Sequence, residues 1–242
     1  MRKSLLVALA LLTSGIVMAQ SDSTVKRGLL TPRSLPKGND HLMVQFGVTQ
    51  WMNRPDSLNT GGISRSLNLY FMINFPFRTN PRLSAAIGVG VGSDNIFLKE
   101  TDIRIRDVAS SIAFRDVSDT NHFKKTKLTT DYLEVPVELR YSAKPEDDAH
   151  SLKFAIGVKV GALLQAKVKN KELQNAADQA INDFKEKQYS KRFFNSNRLV
   201  ATARIGYGHF SLFGAYQLSR VFRENMGPDV RPLSIGLSIS GL

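Results

Sequence analysis

The feature that most constrains this chain is a two-residue alternation of apolar side chains, which recurs in eight separate segments. The segments are 41–50, 65–77, 82–93, 130–142, 151–166, 197–207, 209–219 and 232–241. Within each of them one alternate register contains a run of at least four residues without a charge, as in Leu67, Leu69, Phe71, Ile73 and Phe75. A period of two is typical of β-strands that have one apolar face. The alternation therefore predicts an all-β fold with one strand for each segment.

The opposite register indicates which face of these strands points outward. It is rich in small residues, such as Gly88, Gly90, Gly92, Ser234 and Ser238, with charged residues between them. Glycine and serine are unusual as the main residues of a water-exposed strand surface, but they fit the crowded interior of an eight-stranded barrel. Strands in lipid must close on themselves, and outer-membrane barrels alternate apolar-out with polar-in. We therefore predict a closed antiparallel transmembrane β-barrel of about eight strands; a soluble, lipocalin-like periplasmic carrier, with its apolar face inside, is the alternative.

The lengths of the connections alternate strictly between long and short. The long connections are 51–64, 94–129, 167–196 and 220–231, and the short ones are 78–81, 143–150 and 206–209. Outer-membrane barrels combine long external loops with short periplasmic turns, so this order predicts both termini in the periplasm. Aromatic residues near the strand ends suggest interfacial belts, with Trp51, Tyr132 and Phe222 near the long-loop end.

The loop 167–196 carries a second periodicity. Its apolar residues recur at spacings of three and four, which predicts a short amphipathic helix over about 171–188. The residues are Leu173, Ala176, Ala177, Ala180, Ile181 and Phe184. Such a helix would cap the barrel mouth or dock another envelope protein.

The N-terminal residues predict export. Arg2 and Lys3 precede an apolar run from Leu5 to Met18, and Ala19 provides a small residue at the expected cleavage site. The run is shorter than the ~20 residues of a membrane-spanning helix. We therefore expect a signal peptide over 1–19, a periplasmic tail over 20–40 and a barrel over 41–242, in the bacterial outer membrane.

The formal net charge of +12 comes from basic residues in the predicted tail and loops. They are not gathered on one basic helix or one aromatic-rich strand, so the distribution does not predict binding to nucleic acid. We expect these residues to meet solvent, or the anionic headgroups of outer-membrane lipid and lipopolysaccharide. Other envelope proteins are further possible partners, through the external loops or the predicted 171–188 helix.

Seven charged side chains fall in the polar register and are predicted to share the barrel lumen. They are Glu134, Glu138, Arg140, Lys153, Lys159, Arg198 and Arg204. Buried charges must be paired, so the expected arrangement is a mutually neutralising plug; a proton relay or polar ligand site is the alternative. Pairing of the glutamates with Lys153 and Lys159 across neighbouring strands is expected. Pro136 lies in the same register and, lacking an N–H group, predicts a β-bulge.

The sequence does not predict catalysis. Three of the four histidines, His41, His150 and His209, belong to the predicted periplasmic side. His122 lies in an acidic external loop, where the nearby Asp and Ser residues do not form the pattern of a catalytic triad. No phosphate-binding glycine loop and no metal-ligand spacing occur, and the chain has no cysteine. We therefore predict a protein that is not an enzyme and that has no cofactor or metal.

The segment from Asp131 to Tyr141 reads DYLEVPVELRY. It resembles a central strand of the PorT-like outer-membrane β-barrel family of Bacteroidetes, whose members often read YLEIP before an alternating strand that ends in Lys-Tyr or Arg-Tyr. The glycine-punctuated stretch from Phe154 to Gly161 resembles the family's next strand. The resemblance would cover residues 41–242 and implies a barrel; the members that give the family its name are accessories of protein secretion. Ser240-Gly241-Leu242 departs from the aromatic C-terminus of many outer-membrane barrels.

Together these features predict an outer-membrane barrel with a structural or interaction role, as an accessory subunit of an envelope or secretion complex. The charged lumen also permits a second hypothesis, a small-solute pore. The soluble periplasmic carrier is the third hypothesis.

Overall fold

The computed structural model describes residues 42–55 and 58–241, and these residues form mainly β-strands. The strands are β1 Leu42–Met52, β2 Arg65–Pro76, β3 Leu83–Leu98, β4 Thr101–Ile103, β5 Phe114–Asp116, β6 His122–Ser142, β7 Leu152–Gln174, β8 Ala180–Tyr189, β9 Asn197–Tyr207, β10 Phe210–Gln217 and β11 Arg231–Ser240. One 3-10 turn spans Asp148–His150. The predicted signal peptide and tail lie outside the described residues.

Eight of the strands close into a ring. The order is β6-β3-β2-β1-β11-β10-β9-β7, and the β6–β7 pairing joins the two ends. Every pairing is antiparallel, with registers such as Gly47 opposite Gly236 and Val137 opposite Val158. These eight strands match the eight alternating segments, so the predicted closed all-β barrel is confirmed.

The apolar register faces outward, as predicted. Leu69 and Val137 are 45% exposed and Ile235 is 59% exposed, whereas Asn68, Glu138 and Ser234 between or beside them are buried. An outward apolar face belongs in hydrocarbon, so this orientation argues against the soluble-carrier hypothesis. Among the described residues, no helix has the length and apolar character needed to cross a membrane.

The helix predicted within 167–196 is wrong. β7 continues to Gln174, a turn follows, and β8 returns antiparallel from Ala180 to Tyr189. The Asn175 side chain accepts hydrogen bonds from the backbone N–H groups of Ala177 and Gln179 and so holds the turn. Pairing with β7 satisfies the backbone groups on one side of β8, and this pairing overrides the helical spacing of its apolar residues.

Strands β6, β7 and β8 project farthest at the long-loop end, and residues 93–98 of β3 pair with the lower part of this projection. Residues 122–131 of β6, 165–174 of β7 and 180–189 of β8 form this projection, which we call the external arm. β8 is an edge strand, since within the described residues it pairs only with β7. β4 and β5 form a separate small hairpin inside the second long connection.

A large apolar cluster, which we call the cap core, fills the long-loop end of the barrel. Its buried members are Trp51, Leu58, Ile96, Leu98, Ile103, Ile105, Ile112, Leu128, Tyr132, Leu163, Ala166, Val168, Phe193, Phe194, Val221, Phe222 and Val230. Trp51 and Phe222 pack edge to face with ring centroids 5.9 Å apart. The interfacial positions predicted for Trp51, Tyr132 and Phe222 are therefore wrong, because these rings point inward.

The β-bulge predicted at Pro136 is also wrong. Pro136 is buried and lies opposite Lys159 in an unbroken register with β7. On the β3 side, the register is the same at Ile87–Val137 and at Gly90–Glu134, which flank the proline. The β6–β7 irregularity lies instead between Asp131 and Tyr132. The ladder therefore accommodates the missing N–H group without inserting a residue.

Candidate functional site: the lumen ion pairs

The charged side chains of the lumen fall into two clusters along the bore. The upper cluster, nearer the long-loop end, contains Asp94, Glu134, Lys159 and Arg198. The lower cluster, nearer the short turns, contains Glu138, Arg140 and Arg204. Each side chain points inward because it stands in the register opposite to the exposed apolar one.

Glu134 is the centre of the upper cluster and is fully buried. Its Oε1 lies 3.2 Å from Arg198 Nε, and its Oε2 lies 3.6 Å from Lys159 Nζ. Tyr70 donates its hydroxyl hydrogen to Glu134 Oε2 and accepts a hydrogen bond of 3.0 Å from Lys159 Nζ. The carboxylate therefore joins strands β2, β6, β7 and β9 across the lumen.

Arg198 links Glu134 to a second acidic residue. Its Nη1 lies 2.9 Å from Asp94 Oδ2, and its guanidinium stacks over the Tyr132 ring at 4.7 Å. Two carboxylates thus face two cations, so the upper cluster is electrically neutral. Neutrality and mutual contact are the conditions under which buried charges persist.

Two glycines leave the space that Glu134 occupies. A Cβ atom added at Gly92 would lie 2.8 Å from Glu134 Oε2, and one added at Gly161 would lie 3.1 Å from Glu134 Cγ. The first distance is shorter than real Cβ contacts, so a larger side chain at Gly92 would displace the carboxylate. Gly92 and Gly161 therefore make room for the upper ion-pair cluster.

The lower cluster has one carboxylate between two guanidinium groups. Glu138 Oε2 lies 2.9 Å from Arg140 Nε and 2.6 Å from Arg204 Nη2. All three residues are buried. A recess at the short-turn end is lined by Arg140 and Arg204, among other residues.

Of the seven predicted lumen residues, the structure brings six into these two clusters. Lys159 pairs with Glu134, as expected. The expected pairing of Lys153 with a glutamate is wrong: Lys153 Nζ lies 2.7 Å from Asp148 Oδ1, in the short turn that precedes β7. Lys153 stands near the start of its strand, and Asp148 is the carboxylate within its reach.

Sequence reasoning missed Asp94, Asp148 and Tyr70. Asp94 continues the inward register of β3 after Gly88, Gly90 and Gly92, but the predicted strand ended one residue before it. Tyr70 lies in the inward register of β2 among Asn68 and Met72. Extending the alternation by one residue would have found Asp94; the tyrosine carries no such signal.

The histidines among the described residues do not assemble a catalytic or metal site. His122 contacts Asp178, His150 contacts Asp147, and His209 contacts the Ser240 carbonyl. Within residues 42–55 and 58–241, no three His, Asp or Glu side chains are grouped so as to hold a metal ion.

A comparison with known protein families agrees with this architecture. Residues 18–221 match the family described as "Outer membrane protein beta-barrel domain". Two crystal structures of Ail, the attachment invasion locus protein of Yersinia pestis, align with TM-scores of 0.35 and 0.32 at 11% identity. Each alignment covers 83% of this chain and 95% of Ail, and the first structure contains the heparin analogue sucrose octasulfate. None of the curated proteins matches the sequence.

Proposed function

This chain belongs to the outer-membrane protein β-barrel domain family, and from that premise we propose that it is a non-conducting barrel with a structural or interaction role. It resides in the bacterial outer membrane. In the proposed role it is an accessory subunit of an envelope complex, held in the bilayer by its barrel and exposed to partners through its external arm.

The observation that carries this proposal is that the bore is filled at two levels. The upper and lower ion-pair clusters lie one below the other along the lumen, and the cap core packs aromatic and aliphatic side chains above them. The charges that suggested a solute pathway instead contact one another. A lumen closed in this way supports a plug in preference to a small-solute pore.

The external arm supplies a surface for a protein partner. β8 is exposed along most of its ten residues and forms the free edge of the arm. Free edge strands present backbone N–H and C=O groups that can pair with another chain. Because β8 rises from a barrel fixed in the membrane, a partner that pairs with it would be held at the cell surface.

Site-specific photo-cross-linking in intact envelope tests the interaction role. A photoreactive residue at Lys187, which is exposed on β8, should yield discrete adducts that contain a second protein. The same residue at Ile235, which faces lipid from β11, is the matched control and should give no protein adduct. Recovery of only the free monomer from the Lys187 position would contradict the proposal.

Planar-bilayer recording separates the plug from the pore. The purified mature barrel should show no single-channel conductance, because ion pairs and the cap core obstruct the bore. Reproducible unitary currents from the wild-type protein would favour the small-solute pore.

We further propose that the chain belongs to the PorT-like group. The segment DYLEVPVELRY that suggested this resemblance lies in β6, where it supplies outward apolar residues and both lumen glutamates. Deleting the gene in the native bacterium and comparing its secreted proteins tests the secretion role. Unchanged secretion would contradict that role and leave a purely structural one.

A further inference from the structure

The outward face of the external arm carries an array of lysines in register across three strands. Lys125 of β6 lies opposite Lys171 of β7, which lies opposite Lys185 of β8. In the neighbouring row, Lys127 lies opposite Lys169, which lies opposite Lys187. Residues paired in an antiparallel ladder point to the same side of the sheet. We call this surface the lysine array; its residues are Lys125, Lys127, Lys169, Lys171, Lys185 and Lys187.

This arrangement is unfavourable for the protein alone. Like charges directly opposite each other in a ladder destabilise the pairing. Among the described residues, no carboxylate lies within ion-pair distance of any of the six lysines; Lys127 Nζ instead bonds to the neutral Asn95 Oδ1 at 3.0 Å. The nearest carboxylate in the outward register of β6 is Asp131, which pairs with Lys167 at 3.8 Å and acts on Lys127 only from beyond ion-pair distance. The six lysines therefore outnumber the counter-charges around them.

The electrostatics of Lys127 agree with this geometry. Lys127 lies beyond the membrane-spanning part of β6, on the external arm. Partial burial lowers the pKa of Lys127, and the neighbouring charges of Lys167 and Lys169 lower it further, against the smaller opposing effect of Asp131. An anion placed over the lysine array would reverse the repulsive contribution.

The location of the lysine array identifies the kind of anion. Lys125 and Lys127 continue the same outward register of β6 that holds Leu133, Val135 and Val137 against lipid. Lys127 is six residues beyond Leu133, roughly 20 Å along a strand. With a strand tilt of about 40°, Lys127 therefore lies roughly 15 Å above Leu133 along the barrel axis. That height corresponds to the polar sugar layer of the outer leaflet.

We propose that the lysine array is a binding site for the phosphate groups of a lipopolysaccharide-type glycolipid whose acyl chains pack against the apolar barrel wall below. The phosphates neutralise the two lysine rows, and the lipid chains cover the outward residues of β6 and β7. The site would anchor and orient the external arm relative to the membrane. It rests on the outer-membrane location and does not depend on the proposed protein partner.

Binding of purified, detergent-solubilised barrel to deep-rough lipopolysaccharide tests this site, measured by native mass spectrometry or thermophoresis. The variant K125Q/K127Q/K169Q/K171Q should lose affinity by about tenfold or more, because it removes four of the charges that pair with phosphate. The matched control is K124Q/K144Q. Lys124 lies on the opposite face of the same strand and pairs with Glu172 at 2.8 Å, and Lys144 lies in a short turn.

Two further probes identify the recognised groups. Enzymatically dephosphorylated glycolipid should bind the wild-type barrel about as weakly as intact glycolipid binds the four-lysine variant. Soluble phosphorylated core oligosaccharide should bind at least about tenfold more weakly than the intact glycolipid, because it lacks the apolar chains.

The proposal is overturned if the four-lysine variant binds as well as the wild type, or if removing the phosphates changes nothing. Equal affinity for the soluble oligosaccharide would overturn the lipid assignment.

Urea unfolding of the four-lysine variant should show stability no lower than that of the wild type, since the substitution relieves repulsion. All measurements use the isolated barrel, so a failed cross-linking experiment at Lys187 would leave this test unaffected.

Discussion

Replacing Glu134 with glutamine tests how far the upper cluster stabilises the barrel. The substitution keeps the shape of the side chain and removes one negative charge from a fully buried position. Asp94 would then face Lys159 and Arg198 alone, so the upper cluster would change from neutral to a net charge of +1. Both cations would stay in the lumen, Lys159 Nζ 3.6 Å and Arg198 Nε 3.2 Å from the former carboxylate.

The expected loss is large because both partners of Glu134 are themselves buried. Breaking a buried ion pair by neutralising one partner typically costs about 3–5 kcal/mol, since the other charge is left uncompensated. The double variant E134Q/K159M restores neutrality and should be more stable than E134Q, with a coupling free energy of about 1 kcal/mol or more. The surface variant E172Q, which removes a partner of Lys124, should leave stability unchanged within error.

Urea unfolding of the barrel in phospholipid vesicles provides the measurement. Trp51 is the chain's sole tryptophan and is buried in the cap core, so its emission reports unfolding without labels. Free energies of unfolding follow by linear extrapolation. A loss for E134Q below about 1 kcal/mol, indistinguishable from E172Q, would refute the role assigned to Glu134.

Three further predictions concern the barrel wall, the cap core and the arm tip. Val137→Arg should cost about 2–4 kcal/mol because Val137 lies among the lipid-facing residues of β6, which run from Leu133 to Leu139. The effect of Asn68→Arg should not vary with bilayer thickness, and the same thickness dependence for both variants would contradict the face assignment. Phe222→Ala should destabilise the cap core by about 3–5 kcal/mol and shift Trp51 emission to longer wavelength, and an unchanged spectrum would contradict the packing. His122 Nδ1 lies 2.9 Å from the Thr120 carbonyl, and His122 Nε2 lies 3.1 Å from Asp178. Both acceptors favour the protonated ring, so the pKa of His122 is raised, chiefly by the Thr120 contact. The stabilisation should be complete below the unfolded pKa of about 6.5 and be lost as pH rises through the higher folded value. Hydrogen exchange at residues 175–180, corrected for its intrinsic pH dependence, should therefore accelerate over that range in the wild type but not in H122Q.

The parts of the fold that follow from alternation could be predicted from the sequence. Leu67 to Phe75 and the seven similar segments define the barrel strands, their outward face and the inward placement of Glu134 and Arg198. These features are local, because a strand's pleat determines which side chains share a face.

The remaining features depend on contacts between residues distant in the chain. The cap core joins Leu58, Ile103, Phe194 and Phe222 from different connections, and no local pattern relates them. β8 is a strand because β7 pairs with it, although the spacing of Ile181 and Phe184 favours a helix in isolation. Lys153 turns to Asp148 because the short connection brings that carboxylate beside it.

The orientation of the barrel wall is tested most directly by a nitroxide scan along β11. The chain contains no cysteine, so single cysteines from Leu233 to Ser240 can be spin-labelled without background. Leu233, Ile235, Leu237 and Ile239 point outward, while Ser234, Ser238 and Ser240 are buried in the lumen. In phospholipid bilayers, collision with dissolved oxygen should therefore peak at the odd-numbered positions with a period of two. Maxima at the serine positions, or uniform access of a water-soluble nickel chelate along the strand, would contradict the outward apolar face.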